Sequence, residues 1–196
     1  MAFWAIKRES QLITTGLKRT VKGWEAWGVN LSLKNMVVDA HVKVCDVRTG
    51  SLIYEEVLLR DFPLVANCST EFPAFGLSEA IESRVAVAAI YLIRGGSLLA
   101  RHVNFHEPLK DVPFKLSNNL SLKICGSGED AWVELNAIVP VKGVLVEASG
   151  EHAEDVKWDD NGVDLVPGEC LRLPAKGLKK GDEDMLRLRW LGSHVL

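Results

Sequence analysis

The sequence predicts an all-β chain built from two tandem β-sandwiches, preceded by a short helical and irregular segment. Three observations carry this. Short apolar stretches recur at spacings of about 8–12 residues, each ended by Gly, Pro, Asn or Asp. Several of them alternate apolar and polar residues with a period of two. About fourteen such stretches are present, roughly twice what one seven-stranded sandwich uses.

The N-terminal stretch differs from the rest. Phe3, Trp4, Ile6, Leu12 and Ile13 are interleaved with Lys7, Arg8, Glu9 and Gln11. This suits one or two helical turns with an apolar side, then an irregular stretch ending at Gly16. So short a segment is unstable alone and needs a surface to lie on. From Trp24 onward the pattern is that of strands. Over residues 36–46, Val38, Ala40, Val42 and Val44 point one way and Asp39, His41 and Lys43 the other, the period of a half-buried strand. Asp46-Val47-Arg48-Thr49-Gly50-Ser51 is a turn with glycine where a positive φ costs least. A strand returns over residues 52–59, and residues 64–67 lead into the next at 69–72. Residues 84–93 are almost continuously apolar, as in a central strand covered on both faces. Gly95-Gly96 is a two-residue hairpin loop before a returning strand at 97–105.

The second half repeats the style. Strands are expected at 116–124, 132–139, 143–148, 163–166, 170–173 and 185–191. Turns fall at residues 126–130, at Asn161-Gly162 and at Pro167-Gly168-Glu169, and residues 177–184 form a charged loop. The junction between sandwiches is placed at His106-Glu107-Pro108-Leu109-Lys110, where Pro108 and Pro113 stiffen the chain. Residues 1–19 are then a connection, 20–107 the first sandwich and 108–196 the second.

Composition excludes several classes. At 47% hydrophobic and 25% charged, the 196 residues suit an ordinary globular chain. A net charge of −3, a pI near 6.0 and no Lys/Arg-rich stripe argue against nucleic acid as a partner. No apolar run reaches the ~18 residues of a membrane span. The first residues lack a basic stretch before an apolar one, so no signal peptide is expected, and a cytoplasmic location follows. Cys45, Cys68, Cys125 and Cys170 are scattered singly, which fits reduced thiols and no zinc. Asn30-Leu31-Ser32, Asn67-Cys68-Ser69 and Asn119-Leu120-Ser121 match the short glycosylation pattern and are read as chance matches.

Catalytic chemistry is sparse. A glycosidase needs two carboxylates about 5–10 Å apart, and none of Glu25, Glu55, Glu56, Glu71, Glu107 or Glu134 sits in a motif that fixes such a pair. They read as strand-face or turn carboxylates. There is no Gly-x-Ser-x-Gly, phosphate loop or His-Glu-x-x-His. His102 and His106 are four apart, but on a strand that is not a ligand spacing. No catalytic residue, metal site or cofactor is expected. Of the six tryptophans, Trp132 and Trp190 lie in alternating strands and should fill the core. Trp158, between Lys157 and Asp159-Asp160, is the aromatic least suited to burial, and Trp24 shares a short stretch with Trp27. Trp158 and Trp24 are the candidate sugar-stacking residues.

A series of short motifs, in order, adds a family. Phe3-Trp4-Ala5-Ile6-Lys7-Arg8-Glu9 with Ile13-Thr14-Thr15-Gly16 comes first, then Trp27-Gly28-Val29-Asn30-Leu31-Ser32-Leu33 and Asp46-Val47-Arg48-Thr49-Gly50. Asn67-Cys68-Ser69-Thr70-Glu71, Val87-Ala88-Ala89-Ile90-Tyr91-Leu92-Ile93 and Ala100-Arg101-His102-Val103-Asn104-Phe105 follow. Glu107-Pro108-Leu109-Lys110, Val139-Pro140-Val141-Lys142-Gly143-Val144, Asp159-Asp160-Asn161 and Asp164-Leu165-Val166-Pro167-Gly168-Glu169 complete the series. Together they resemble the C-terminal region of fungal, intracellular-type β-mannosidases of glycoside hydrolase family 2. The resemblance implies immunoglobulin-like sandwiches. It implies a parent that removes terminal β-mannose with retention, using two glutamates of a barrel, and no residue here matches either glutamate. The implied partners are that missing catalytic barrel and mannose-containing oligosaccharides; without the barrel, Phe3, Trp4 and Ile6 are an orphan apolar surface. The alternative is a stand-alone carbohydrate-binding or protein-interaction module. Two departures stand out: residues 19–24 are shorter than the family's stretch, and Phe105-His106 stands where the family has Trp-Pro.

Overall fold

The computed structural model describes residues 2–21, 23–76, 85–105, 109, 112, 120–150 and 152–193. The chain divides into two compact units, Lys7–Pro113 and Met1–Ile6 with Phe114–Leu196. One helix, α1 (Ala2–Glu9), contains the N-terminal dividing point. The expected junction residues His106, Glu107, Pro108 and Lys110 lie outside the described residues. Each unit is all-β, with one three-stranded and one four-stranded antiparallel sheet, the immunoglobulin-like sandwich plan.

In the first unit β1 (Ile13–Thr20), β2 (Gly23–Asn30) and β5 (Cys68–Glu71) form one sheet in the order β1-β2-β5. The other contains β3 (Met36–Asp46), β4 (Leu52–Leu64), β6 (Ala86–Arg94) and β7 (Ser97–Phe105), in the order β4-β3-β6-β7. Val38, Ala40, Val42 and Val44 of β3 are buried, as their alternation predicts. They meet Trp24, Ala26, Leu64, Phe72, Ile90 and Leu92 in one core. Strand β6 is buried on both faces: Ala88, Ile90 and Leu92 join that core, while Val87 and Ala89 are buried on the other side. Gly95 and Gly96 both have positive φ (55° and 78°), which the two-residue hairpin between β6 and β7 requires. In the β3–β4 turn, Asp46 Oδ1 accepts from the Arg48 and Thr49 amides at 2.9 Å each.

The stretch through Gly16 expected to be irregular is instead strand β1, paired with β2 over its whole length. Glycine hid it. Gly16 lies directly opposite Trp27, whose indole fills the space a side chain would take. Asn104 Nδ2 donates to Leu17 O at 3.2 Å, tying β7 to β1.

The second unit contains β8 (Leu120–Cys125), β9 (Trp132–Ala137), β10 (Val141–Ala148), β11 (Lys157–Trp158), β12 (Val163–Leu165), β13 (Leu171–Lys176) and β14 (Leu186–Arg189). Its sheets run β12-β10-β14 and β11-β13-β9-β8. Val133, Leu135, Val144, Val146, Leu165 and Leu173 lead its core. Strand β10 bulges between Val141 and Val144. There the Gly143 amide donates to Asp164 Oδ1 at 2.8 Å, and Lys142 Nζ lies 3.1 Å from Asp164 Oδ2. The side chain of Asn161 acts as a missing strand residue: Oδ1 accepts from Val146 N at 2.8 Å and Nδ2 donates to Val146 O at 2.7 Å.

A Cβ at position 16 would fall 2.3 Å from Trp27 Cζ2. Gly16→Ala is therefore expected to cost ~1–3 kcal/mol, the range of overpacking, in urea unfolding. The same change in a Trp27→Val background should cost much less, because the two positions are coupled.

Candidate functional site

The two candidate platforms fare differently. Trp24 sits on the inner face of β2 at 0% exposure, with Arg19 5.7 Å above its ring. A fully enclosed indole offers no face to a sugar, so the stacking role for Trp24 is corrected. The period of β2 explains it: Trp24, Ala26, Gly28 and Asn30 all face inward. Trp24 Nε1 has no hydrogen-bond partner among the described residues. Trp158 pairs with Ala175 and packs against the second core, yet remains half-buried.

Trp132 was expected in the core and is not there. Strand β9 buries Val133, Leu135 and Ala137, so Trp132 and Glu134 share the outer face. Register brings others beside them: Cys125 lies opposite Trp132 on β8, and Arg172 opposite Glu134 on β13. Trp132 Nε1 donates to Glu134 Oε1 at 3.3 Å, and Arg172 Nε lies 3.1 Å from the same oxygen. Arg172 also rests 5.6 Å over the Trp132 ring, a cation–π contact.

Glu134 is the carboxylate whose environment is most developed. Its hydrogen bond from Trp132 holds its pKa below the ordinary value, helped by the Cys125 thiol, Arg172 and Lys123 against the opposing effect of burial. A general acid working at neutral pH needs the opposite shift. Burial raises the Cys125 thiol, with the Glu134 charge adding to it, so it is no activated nucleophile. The cluster therefore clamps the outer face of the sheet, and its groups satisfy one another.

The remaining expected residues stay apart. Glu25, Glu55, Glu56 and Glu71 are exposed on strands β2, β4 and β5; Glu107 lies outside the described residues. Glu56 does accept from the Tyr54 hydroxyl, and burial together with that bond pushes Tyr54 up to about 12. His106 and His194 also fall outside the described residues, and no metal-ligating group of three or more appears among the described ones. Asn30 of the first glycosylation match is buried, and its side-chain amide donates to Lys34 O in the loop after β2 and to Leu64 O at the end of β4. Asn119 lies outside the described residues.

Residues 22–111 match the family described as the mannosidase Ig/CBM-like domain. Beyond them, almost the whole chain resembles fungal β-mannosidases. It is 32% identical to β-mannosidase B of Thermothelomyces thermophilus, over 98% of this chain and 24% of the relative. Against β-mannosidase B of Emericella nidulans the identity is 25%, over 97% of this chain and again 24% of the relative. The chain thus corresponds to about a quarter of the mannosidases it matches. Among solved structures, a β-D-mannosidase from Dictyoglomus thermophilum superposes with a TM-score of 0.71 at 16% identity, covering 96% of this chain and 23% of that one. An exo-chitosanase from Amycolatopsis orientalis gives 0.67 at 15% identity, over 98% and 27%. These two show a shared fold.

The mannosidase Ig/CBM-like match, residues 22–111, lies within the first unit, whereas the Glu134 cluster lies in the second. That cluster has its own signature. Because the folded chain holds Glu134 below its ordinary range, the stabilisation it gives is complete at neutral pH and is lost as pH falls through the lowered value. Acid titration of tryptophan fluorescence should show a transition below the ordinary carboxylate range, and Glu134→Gln should remove it.

Proposed function

We propose that this chain is an accessory, non-catalytic part of a β-mannosidase, and that the residues which hydrolyse the glycosidic bond lie in the larger part of the parent outside it. Coverage is the observation that carries this reading. The resemblance runs through 97–98% of this chain and stops at 24% of each relative. The chemistry supports it. Retaining hydrolysis needs one carboxyl able to donate a proton and a second about 5–5.5 Å away as nucleophile, and the best-developed carboxylate here, Glu134, is held ionised. Two sandwiches with buried apolar cores suit a brace that fixes a catalytic domain in place.

The purified chain is expected to release no product from an aryl β-mannoside. In its source, an antibody against this chain should detect a polypeptide several times larger than 21.6 kDa that carries β-mannosidase activity. Turnover that survives repurification and follows this chain would overturn the reading, as would a native band at 21.6 kDa.

A second reading rests on Trp158, which keeps part of its indole exposed while Trp24 has none. Stacking of a manno-oligosaccharide there would perturb tryptophan emission, and Trp158→Ala would abolish the change. A flat titration of the unmodified chain removes this reading and leaves the first intact.

A further inference from the structure

Among the described residues of the first unit, exposed aliphatic side chains gather at one end. Strand register defines one pole, where β1, β3, β5 and β7 begin and β2, β4 and β6 end: Ile13 lies opposite Asn30, Asn30 opposite Cys68, Met36 opposite Leu64, and Arg94 opposite Ser97. Leu12, Leu31, Leu33, Val37, Val65 and Leu98 are all exposed and all lie at or beside this pole. Val21 and Leu52 lie at the opposite one. A random scatter of surface aliphatics needs no explanation, but a gathering of them does.

The gathering is held in place. Asn30 is 0% exposed, and its Nδ2 donates to Lys34 O and Leu64 O at 3.0 Å each. Its Oδ1 accepts from Ser32 N at 3.0 Å and Ser32 Oγ at 2.7 Å. The neighbouring loop is tied across: Ala66 N donates to Asn35 Oδ1 at 2.8 Å and Asn67 N to Ser32 O at 3.2 Å. Leu31 N donates to Leu12 O at 2.8 Å, which joins the third segment. This network holds the Leu33 backbone so that its side chain stands 94% exposed instead of folding back. The loops are pre-organised, which lowers the ordering cost of an interface.

We propose that this pole is the surface on which the catalytic portion of the parent β-mannosidase docks. The inference rests on the reading given under Proposed function. About three quarters of each matched mannosidase lies outside this chain, so a large neighbouring body exists to cover the pole. The rim carries both signs of charge: Lys34 and Arg94 are exposed at this end, and Asp39 and the exposed Asp61 lie on the same tier of the sheet as Arg94. The size of the remaining polypeptide, rather than charge, therefore favours the catalytic portion as the occupant.

Hydrogen exchange on the full-length native polypeptide, compared with the isolated chain, tests this. Amides of residues 31–35 and 65–67 should exchange at least ~10-fold more slowly in the full-length protein. Those of the β1–β2 turn around Val21 should be unchanged. Leu33→Asp should leave the melting temperature of the isolated chain unaltered and lower that of the full-length protein, while Val21→Asp lowers neither. Equal exchange at residues 31–35 in the two forms, in a full-length protein that is active, overturns the docking surface while the proposed function stands. A native polypeptide of 21.6 kDa, or a larger one without mannosidase activity, overturns both. If the isolated chain sediments as a dimer that Leu33→Asp dissociates, the pole belongs to a second copy and the proposal fails.

Discussion

The first unit depends on the register of one strand. β3 is paired on both sides, to β4 and to β6, and its inward residues Val38, Ala40, Val42 and Val44 are all at or below 1% exposure. A slip by one residue would turn Asp39, His41 and Lys43 into the core and those four out of it. The turn after β3 helps to prevent the slip, because Asp46 ties down its own loop before β4 starts. The other inner faces are built against this fixed row. Gly28 leaves out a Cβ that would come within 2.7 Å of Phe72, so Phe72 can enter the core and meet Phe62 edge-on at 5.8 Å.

A second theme is the use of short polar side chains as backbone. Asn30 and Asn161 are among the few buried polar residues, at 0% and 2% exposure. Each makes paired bonds to main-chain groups where a strand partner is missing: Asn30 inside the loop after β2, Asn161 beside β10. Asp46 and Asp164 do the same for a hairpin and a bulge. Such groups are costly to bury unless fully bonded, so they fix a loop in one conformation. A sandwich braced this way presents loops of defined shape to a neighbour.

Much of the fold was legible in the sequence because its signals are local. Alternation gave β3, the apolar run gave the doubly buried β6, and Gly95-Gly96 gave its hairpin. β1 was missed because Gly16 leaves a gap that only Trp27, across the strand pair, explains. The Glu134 cluster was missed for a related reason. Trp132 and Glu134 are two apart, but Arg172 reaches them only through pairing with β13, and no local pattern reveals such a register. Trp132 was also assigned to the wrong face, since a strand's period does not say which phase is inside until a neighbour is known. The exposed pole was illegible for the same cause: residues 12, 33, 65 and 98 are far apart in sequence and are gathered only by topology.

The enclosed Asn30 has a consequence for how this polypeptide can be made. Its side chain sits in an acceptor pattern for N-linked glycans, Asn30-Leu31-Ser32, yet in the finished fold both its amide nitrogen and the Ser32 hydroxyl are engaged. Oligosaccharide transfer acts on that nitrogen while a chain is still extended. A host that routes the nascent protein past the transferase sets up a race between folding and sugar attachment. A molecule modified first could no longer donate both bonds or fit its amide under Leu64, and the loop would stay open. Production in a compartment without that enzyme avoids the race.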